Sequence, residues 1–376
     1  MVNEQNRQVG QRRVNPLGGR STSQKRPHFT HFSHVHLSLE QQKTGLYVHH
    51  SAKSIFILFY GPMILSRAST QVERQSQPQA PGSDVGGKLL AAAIIVLGKL
   101  PLWLLGTIGD FLGRLAWYAA PGARKVTLVN LEMCFPDKSP QERLALAKQS
   151  IRETTRTALE IAATWSQPAD KLLPLITHAE NEKILDDALA SHKGIVFIVP
   201  HFGNWELSNF YMARKCDLLA MYKAVESPAL DQLIYRARSQ NTEMVTADKR
   251  GVVALFKALP KGKATGVLPD QEPTLKSGVW VPFFGVTALT PRLVSKLTND
   301  TGSVAMGFGC QRNPDGKTFH VFYEPVDADF YSDDIEVSAA AMNRCVERII
   351  LRDPKQYQWE YKRFKRRPDN QPRPYK

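Results

Sequence analysis

The sequence predicts a mixed α/β fold, a mainly parallel sheet with helices on both faces, preceded by an N-terminal membrane-associated helix. Three observations lead there. Short, continuously apolar, β-branched runs alternate with longer segments that keep near 3.6-residue spacing, the signature of strands separated by crossover helices. A 20-residue apolar stretch precedes them. The composition is that of a globular body, with 43% hydrophobic and 22% charged residues among 376.

Residues 1–84 read as a disordered basic extension. Positions 1–80 hold ten Lys/Arg against Glu4, Glu40 and Glu73, and they lack a sustained period apart from Ile55–Tyr60. The histidines at 28, 31, 34, 36, 49 and 50 lack partners at ligand spacing, so a solvated tail is expected and no metal site. Met63 heads Met-Ile-Leu-Ser-Arg and is a candidate translation start.

Residues 85–120 form the expected membrane anchor. Leu89 to Ile108 carries Lys99 as its single charge, and a helix of that length spans roughly 30 Å, the thickness of a bilayer's hydrocarbon core. Pro101 predicts a kink, Trp117 and Tyr118 suit headgroups, and Arg114, Arg124 and Lys125 supply a basic flank. A buried core helix is the competing reading.

Residues 121–367 form the expected α/β body, with 368–376 as a tail. Ser139-Pro140-Gln141-Glu142 combines a capping box with Pro at the first helical position, so a helix starts there and its apolar period runs to about Trp165. Strands are predicted over 194–199, 218–222, 264–268, 303–308 and 319–323. Helices are predicted around 228–240, 250–259, 291–301 and 338–351. Cys134, Cys216, Cys310 and Cys345 are scattered without a Cys-x-x-Cys pair, which predicts free thiols in a reducing compartment and no zinc site.

The first strong strand runs into Pro200-His201-Phe202-Gly203-Asn204-Trp205-Glu206. Ligands of open α/β sheets gather at the carboxyl ends of strands, which places His201 where a proton acceptor is useful at neutral pH. On a regular helix His201 and Glu206 would point about 140° apart. They can meet only if His201 occupies the turn before a helix, as Pro200 and Gly203 permit. No Gly-x-Ser-x-Gly is present, so direct attack by a substrate hydroxyl is expected rather than a covalent enzyme intermediate. A capping His and a surface Glu would fit the spacing as well.

The His-x4-Glu block resembles the His-x4-Asp/Glu motif of the glycerolipid acyltransferase superfamily, and within it the lipid A biosynthesis acyltransferases of the lauroyl and myristoyl type. The resemblance covers about residues 85–367. It rests also on Met221-Tyr222-Lys223, Tyr235-Arg236-Ala237-Arg238, the Leu-Pro-Lys-Gly end of the 250–262 segment, Leu268-Pro269-Asp270-Gln271, Val281-Pro282-Phe283-Phe284-Gly285, and Gln356 through Phe364. Lysophosphatidate acyltransferases carry Phe-Pro-Glu-Gly-Thr-Arg where this chain has Leu-Pro-Asp-Gln-Glu-Pro. Lys223-Ala224 stands where the lipid A family often has Arg-Pro.

The resemblance implies a glycerol-3-phosphate acyltransferase-like fold and transfer of a secondary acyl chain from acyl carrier protein to a hydroxyl of a phosphorylated glucosamine lipid, a Kdo-lipid IVA type precursor. It implies His201 as general base and Glu206 as the carboxylate that orients it. Arg238, Asp270 and Lys223 fall to substrate binding. No metal or organic cofactor is implied, and the expected location is the bacterial inner membrane with the catalytic domain facing the cytoplasm. A lysophospholipid or another glycolipid is the alternative acceptor.

The net charge of +14 suits an acidic carrier, a phosphorylated lipid or an anionic leaflet. Residues 355–376 concentrate this, with eight Lys/Arg against Glu360 and Asp369 and with Tyr357, Trp359, Tyr361 and Phe364 interleaved. They are expected to form a polyanion-binding surface. That pattern also marks nucleic-acid binders, but no zinc-finger or RNP-type motif accompanies it and the apolar stretch opposes it, so no nucleic-acid partner is expected.

Overall fold

The computed structural model describes residues 84–368 and 371–375. The readings for residues 1–83, including the histidine tract and the candidate start at Met63, lie outside the described residues.

Nine strands occur among the described residues: β1 (Ile176–Glu180), β2 (Ile195–Ile198), β3 (Leu219–Tyr222), β4 (Glu243–Thr246), β5 (Ala264–Val267), β6 (Gly278–Phe283), β7 (Val286–Pro291), β8 (Val304–Arg312) and β9 (Phe319–Pro325). The main sheet has the order β1-β9-β8-β2-β5. Only β8 and β9 run antiparallel to each other; the other three pairings are parallel. β3 and β4 form a parallel pair, and Leu218 bridges it to Ala264 at the β5 edge. β6 and β7 form a hairpin, whose two-residue turn puts both Phe284 and Gly285 at positive φ. All five predicted strands are present, and the sheet is mixed and mainly parallel.

The central strand β2 explains why helices cover both faces. Its four residues are all buried, and the pleat sends alternate side chains to opposite sides. Val196 and Ile198 join one core with Leu255, Leu297, Met342 and Ile349. Ile195, Phe197 and Val199 join a second core with Leu159, Leu185, Phe210 and Phe308.

The first helices are α1 (Val85–Gly98), α2 (Leu102–Ala119), α3 (Pro121–Cys134) and α4 (Pro140–Ser166). α4 begins as the sequence predicts, with the Ser139–Glu142 capping box formed in both directions. The single helix expected over Leu89–Ile108 is instead α1 and α2, bent by 120° at Lys99–Pro101. Pro101 has no N–H to continue the ladder and becomes the N-cap of α2. Among the described residues no single helix is long and apolar enough to cross a membrane, although the bent pair passes by length and composition together. α2 seats closely on α4 through Gly109 and Gly113, where an added Cβ would lie 2.6 Å from the Cα atoms of Arg156 and Arg152. Leu89, Ile95, Val96, Trp103, Phe111, Leu115 and Tyr118 of this pair stay exposed.

α5 (Lys183–Ala190), α6 (Trp205–Lys215), α7 (Pro228–Arg238), α8 (Lys249–Ala258), α9 (Leu293–Thr301) and α10 (Ile335–Arg352) complete the layers. The reading of the aromatic residues within 355–376 as a displayed surface needs correcting. Tyr357, Trp359, Phe364 and Arg363 are buried rather than displayed. Phe135 and Phe284 rings pack on Trp359, and Asn130 Nδ2 donates to the carbonyls of Trp359 and Tyr361, both at 2.7 Å. The aromatic spacing that suggested a binding surface is the inner lining of a strap.

Candidate active site

Strand register builds the site. β2 and β5 are parallel neighbours with Ile198 opposite Val267, so their chains leave the sheet side by side at the carboxyl edge. His201 and Asp270 each sit three positions past that last pair and meet there although 69 residues separate them. Asp270 Oδ1 lies 2.8 Å from His201 Nδ1, and Oδ2 accepts from the His201 backbone N–H at 2.8 Å.

Gly203 lets the His201 loop turn beneath this pair. It has φ +56, and a Cβ there would fall 2.0 Å from the Cys310 carbonyl oxygen, so any other residue would strain the loop and collide with β8. Asn204 then caps α6 by accepting from the Leu207 N–H. His201 therefore stands in the turn before the helix, as the sequence predicts. Below the loop, buried Arg312 is bound by Glu160, Glu153 and Thr157, while Thr157 donates to the Gly203 carbonyl at 3.4 Å.

The Asp270 carboxyl is held below its ordinary range. Burial alone would raise it, but the facing His201 and the hydrogen bonds from its ring and backbone outweigh that penalty. An ionised carboxylate only accepts hydrogen bonds, so the Nδ1 it faces carries the proton. In the neutral ring Nε2 then offers a lone pair, and Gln271 Nε2 lies 3.2 Å from it, in position to donate. The His201 side chain is 15% exposed against 2% for Asp270, so the ring reaches solvent while its partner does not. Trp205 packs edge-on against the imidazole with centroids 5.2 Å apart. The arrangement is an oriented imidazole with one nitrogen fixed and the other presented outward, the geometry of a general base.

Glu206 lies in the first turn of α6 but does not fill the orienting role. Its carboxylate pairs with Arg238, whose Nε donates at 3.0 Å and whose Nη2 reaches the second oxygen. The pairing expected between His201 and Glu206 is thus replaced by two pairs, His201 with Asp270 and Glu206 with Arg238. The helix explains it, because Glu206 is the second residue of α6 and faces the C-terminal end of α7. Burial disfavours the Arg238 charge, and Glu206 more than offsets this, raising its pKa. Arg238 also lies over the Tyr222 ring at 5.8 Å. Lys223 is exposed, one residue past β3. Among the described residues no group of His, Cys, Asp and Glu is arranged to hold a metal ion. An open cleft of about 250 Å³ between α2 and the β8–β9 turn shares none of these residues.

Gln271 follows Asp270 in the Leu-Pro-Asp-Gln block, and nothing in its spacing signals the contact it makes with His201. The equal offset of His201 and Asp270 from paired strands was the signal that joined them, and it becomes visible only once the register is known.

Known proteins resemble this chain over most of its length. The model of the bacterial lipid A biosynthesis acyltransferase family matches residues 84–366. The lipid A biosynthesis lauroyltransferase of Escherichia coli K12 is 30% identical over 278 residues, 74% of this chain and 90% of that protein. The palmitoleoyltransferase of the same organism is 27% identical over 72% of this chain and 88% of its own length. Its myristoyltransferase is 24% identical over 80% and 91%. With the match spanning most of the chain and including the whole site, this protein belongs to the bacterial lipid A biosynthesis acyltransferase family.

Proposed function

We propose that this enzyme transfers a fatty acyl chain from acyl carrier protein to a hydroxyl of a lipid A precursor of the Kdo-lipid IVA type, with His201 as general base. The observation that carries the reading is the His201 ring held by Asp270 at Nδ1, with Nε2 turned outward to the Gln271 amide at 3.2 Å. The acceptor hydroxyl displaces the Gln271 amide, gives its proton to Nε2 and attacks the thioester carbonyl. Collapse of the tetrahedral intermediate expels the carrier's thiolate, which takes the proton from the imidazolium. Asp270 fixes the tautomer and stabilises the cationic ring. Arg238 and Lys223 are assigned to the acceptor, since cations suit a phosphorylated sugar.

The bent pair α1–α2, apolar and exposed, supports an interfacial seat on a membrane, and a carrier-protein donor would set the site on the cytoplasmic side of the inner membrane. The chain's charge of +14 suits an acidic carrier protein and an anionic leaflet.

Lipid A from a strain lacking the gene should lose one acyl chain by mass spectrometry. Wild type should restore it and His201→Ala should not, because losing general-base help costs roughly 10²–10⁴-fold. An unchanged acyl pattern on deletion, in a strain without a second such enzyme, would turn the reading toward a lysophospholipid acceptor. Full restoration by His201→Ala would remove His201 from the chemistry.

A further inference from the structure

The strap, Gln356 to Arg366, has no part in the steps above, yet it is tied to both catalytic loops. The Gly203 N–H donates to the Gln356 carbonyl at 3.0 Å, the Gln358 N–H donates to the His201 carbonyl at 3.1 Å, and Phe202 bridges Tyr357 in antiparallel fashion. On the Asp270 loop, the Glu272 N–H donates to the Tyr361 hydroxyl at 2.8 Å. The Arg366 N–H donates to Glu272 Oε1 at 2.7 Å, and the Arg366 guanidinium donates to the Pro273 carbonyl at 2.6 Å.

From Pro273 the same loop continues as a cationic surface. Its ring packs at Gly278, where an added Cβ would fall 2.7 Å away. Gly278 pairs with Pro291 at the base of the β6–β7 hairpin, and the next residue, Arg292, donates from its guanidinium to the Lys276 carbonyl at 2.8 Å. Arg367 donates to the Thr287 carbonyl of β7 at 2.7 Å. These contacts gather Lys276, Arg292, Lys365, Arg366 and Arg367 on one face. Arg366 pairs with Glu272 at 3.2 Å, and that carboxylate is 3% exposed. Among the described residues the other four cations have no carboxylate partner, and Lys276, Arg292 and Lys365 are exposed. Beside them Leu275 stands 62% exposed, on a turn closed by the Ser277 N–H donating to the Thr274 carbonyl at 3.0 Å.

We propose that this face docks the acidic acyl carrier protein, with Leu275 as its apolar contact and the cations as its rim. The proposal rests on the carrier-protein donor put forward above. Leu275 lies four residues from Gln271, whose amide meets His201, and four residues of chain reach at most about 14 Å. A carrier seated here therefore holds its thioester arm close to Nε2. Exposed cations facing acidic residues speed encounter and fix register, which suits a donor that must come and go at each turnover. Charge complementarity alone would also suit an anionic bilayer, but interfacial binding needs a broad apolar face as well. This face offers Leu275 alone, whereas α1 and α2 expose Leu89, Ile95, Trp103, Phe111 and Leu115. The donor thus has its own surface, separate from the helices that suit the bilayer.

The test reverses Lys276 and Lys365, whose ammonium groups make no hydrogen bond or ion pair among the described residues. In full-length Lys276→Glu with Lys365→Glu, KM for the acyl carrier protein thioester should rise about tenfold. The kcat and the KM for the lipid acceptor should stay within twofold of wild type. Added salt should raise the carrier KM more steeply in wild type than in the variant. In a second arm that alters no charge, p-benzoylphenylalanine in place of Leu275 should crosslink the carrier, and the same probe at Leu351, exposed at the end of α10, should not. An unchanged carrier KM together with no crosslink at 275 would overturn the proposal. So would a variant that keeps its carrier KM but no longer floats with phosphatidylglycerol vesicles, which assigns the face to the membrane. Wild type that takes no acyl chain from the carrier removes the donor reading and this surface with it. Wild type active on the carrier, with both arms negative, removes the surface alone.

Discussion

Glu206 and Asp270 are two buried carboxylates with different partners. Asp270 serves the imidazole, and Glu206 neutralises Arg238, whose head is 31% exposed while the Glu206 side chain is 5% exposed. Breaking a buried pair from one side leaves an uncompensated charge. Glu206→Ala should cost roughly 3 kcal/mol, the low end for such pairs because Arg238 still reaches water. Adding Arg238→Ala should restore part of the loss. Urea denaturation of the two single variants and the double variant measures the coupling, and additive losses would show that the pair contributes nothing jointly.

The same comparison shows which residues were legible. His201, Asp270, Glu206 and Arg238 all stand out in the sequence, and the structure joins them as two pairs, His201 with Asp270 and Arg238 with Glu206. Their partnership was misread because His-x4-Glu is a local spacing, whereas the contact that forms is a non-local one between neighbouring parallel strands. The burial of Tyr357 could not be read from spacing, since a buried aromatic in a basic segment reads like an exposed one until its neighbours are known.

Elements show the same division. Every predicted strand and helix of the body is present, because each carried an uninterrupted apolar run or a cap. The β6–β7 hairpin, β1, β4 and the short helix α5 had no such signal: β1 and β4 are half-exposed strands of five and four residues. The apolar stretch ahead of the body was legible as apolar but not as two helices. Its break has a consequence, because α1 and α2 bury one side on α4 and leave Leu89, Ile95, Trp103, Phe111 and Leu115 outward. Apolar helices with Lys88, Lys99 and Arg114 exposed beside them suit the headgroup boundary of an anionic bilayer. The full chain should float with vesicles containing phosphatidylglycerol, and Trp103→Glu with Phe111→Glu should release it into the soluble fraction. Flotation unaffected by the double change would place the lipid contact elsewhere.

For the molecule as a whole, the buried ionisable groups set how stability responds to pH. Glu360, a buried residue of the strap, accepts hydrogen bonds from Ser150 and from Thr154, the latter at 3.0 Å, and burial pushes its carboxyl up to about 7. Below its ordinary value near 4.5 the group is protonated whether the chain is folded or not, so it adds no penalty. Between there and about 7 the unfolded chain ionises while the folded one keeps its proton, so this group's contribution declines as pH rises. At about 1.4 kcal/mol per unit the full swing is on the order of 3 kcal/mol. Glu360→Gln should raise the urea midpoint at pH 8 and leave it nearly unchanged at pH 4.5. A midpoint lowered equally at both would show that the carboxylate is needed for its hydrogen bonds rather than tolerated.

The strap lies in the chain after every strand and helix it serves, and this orders events during synthesis. The sheet can assemble on the ribosome with His201 and Asp270 already at its edge, but their loops stay untied until Tyr357, Tyr361 and Arg366 have emerged. Competence to move an acyl group therefore arrives last, so a chain arrested shortly before residue 357 would hold a nearly complete core and an idle imidazole.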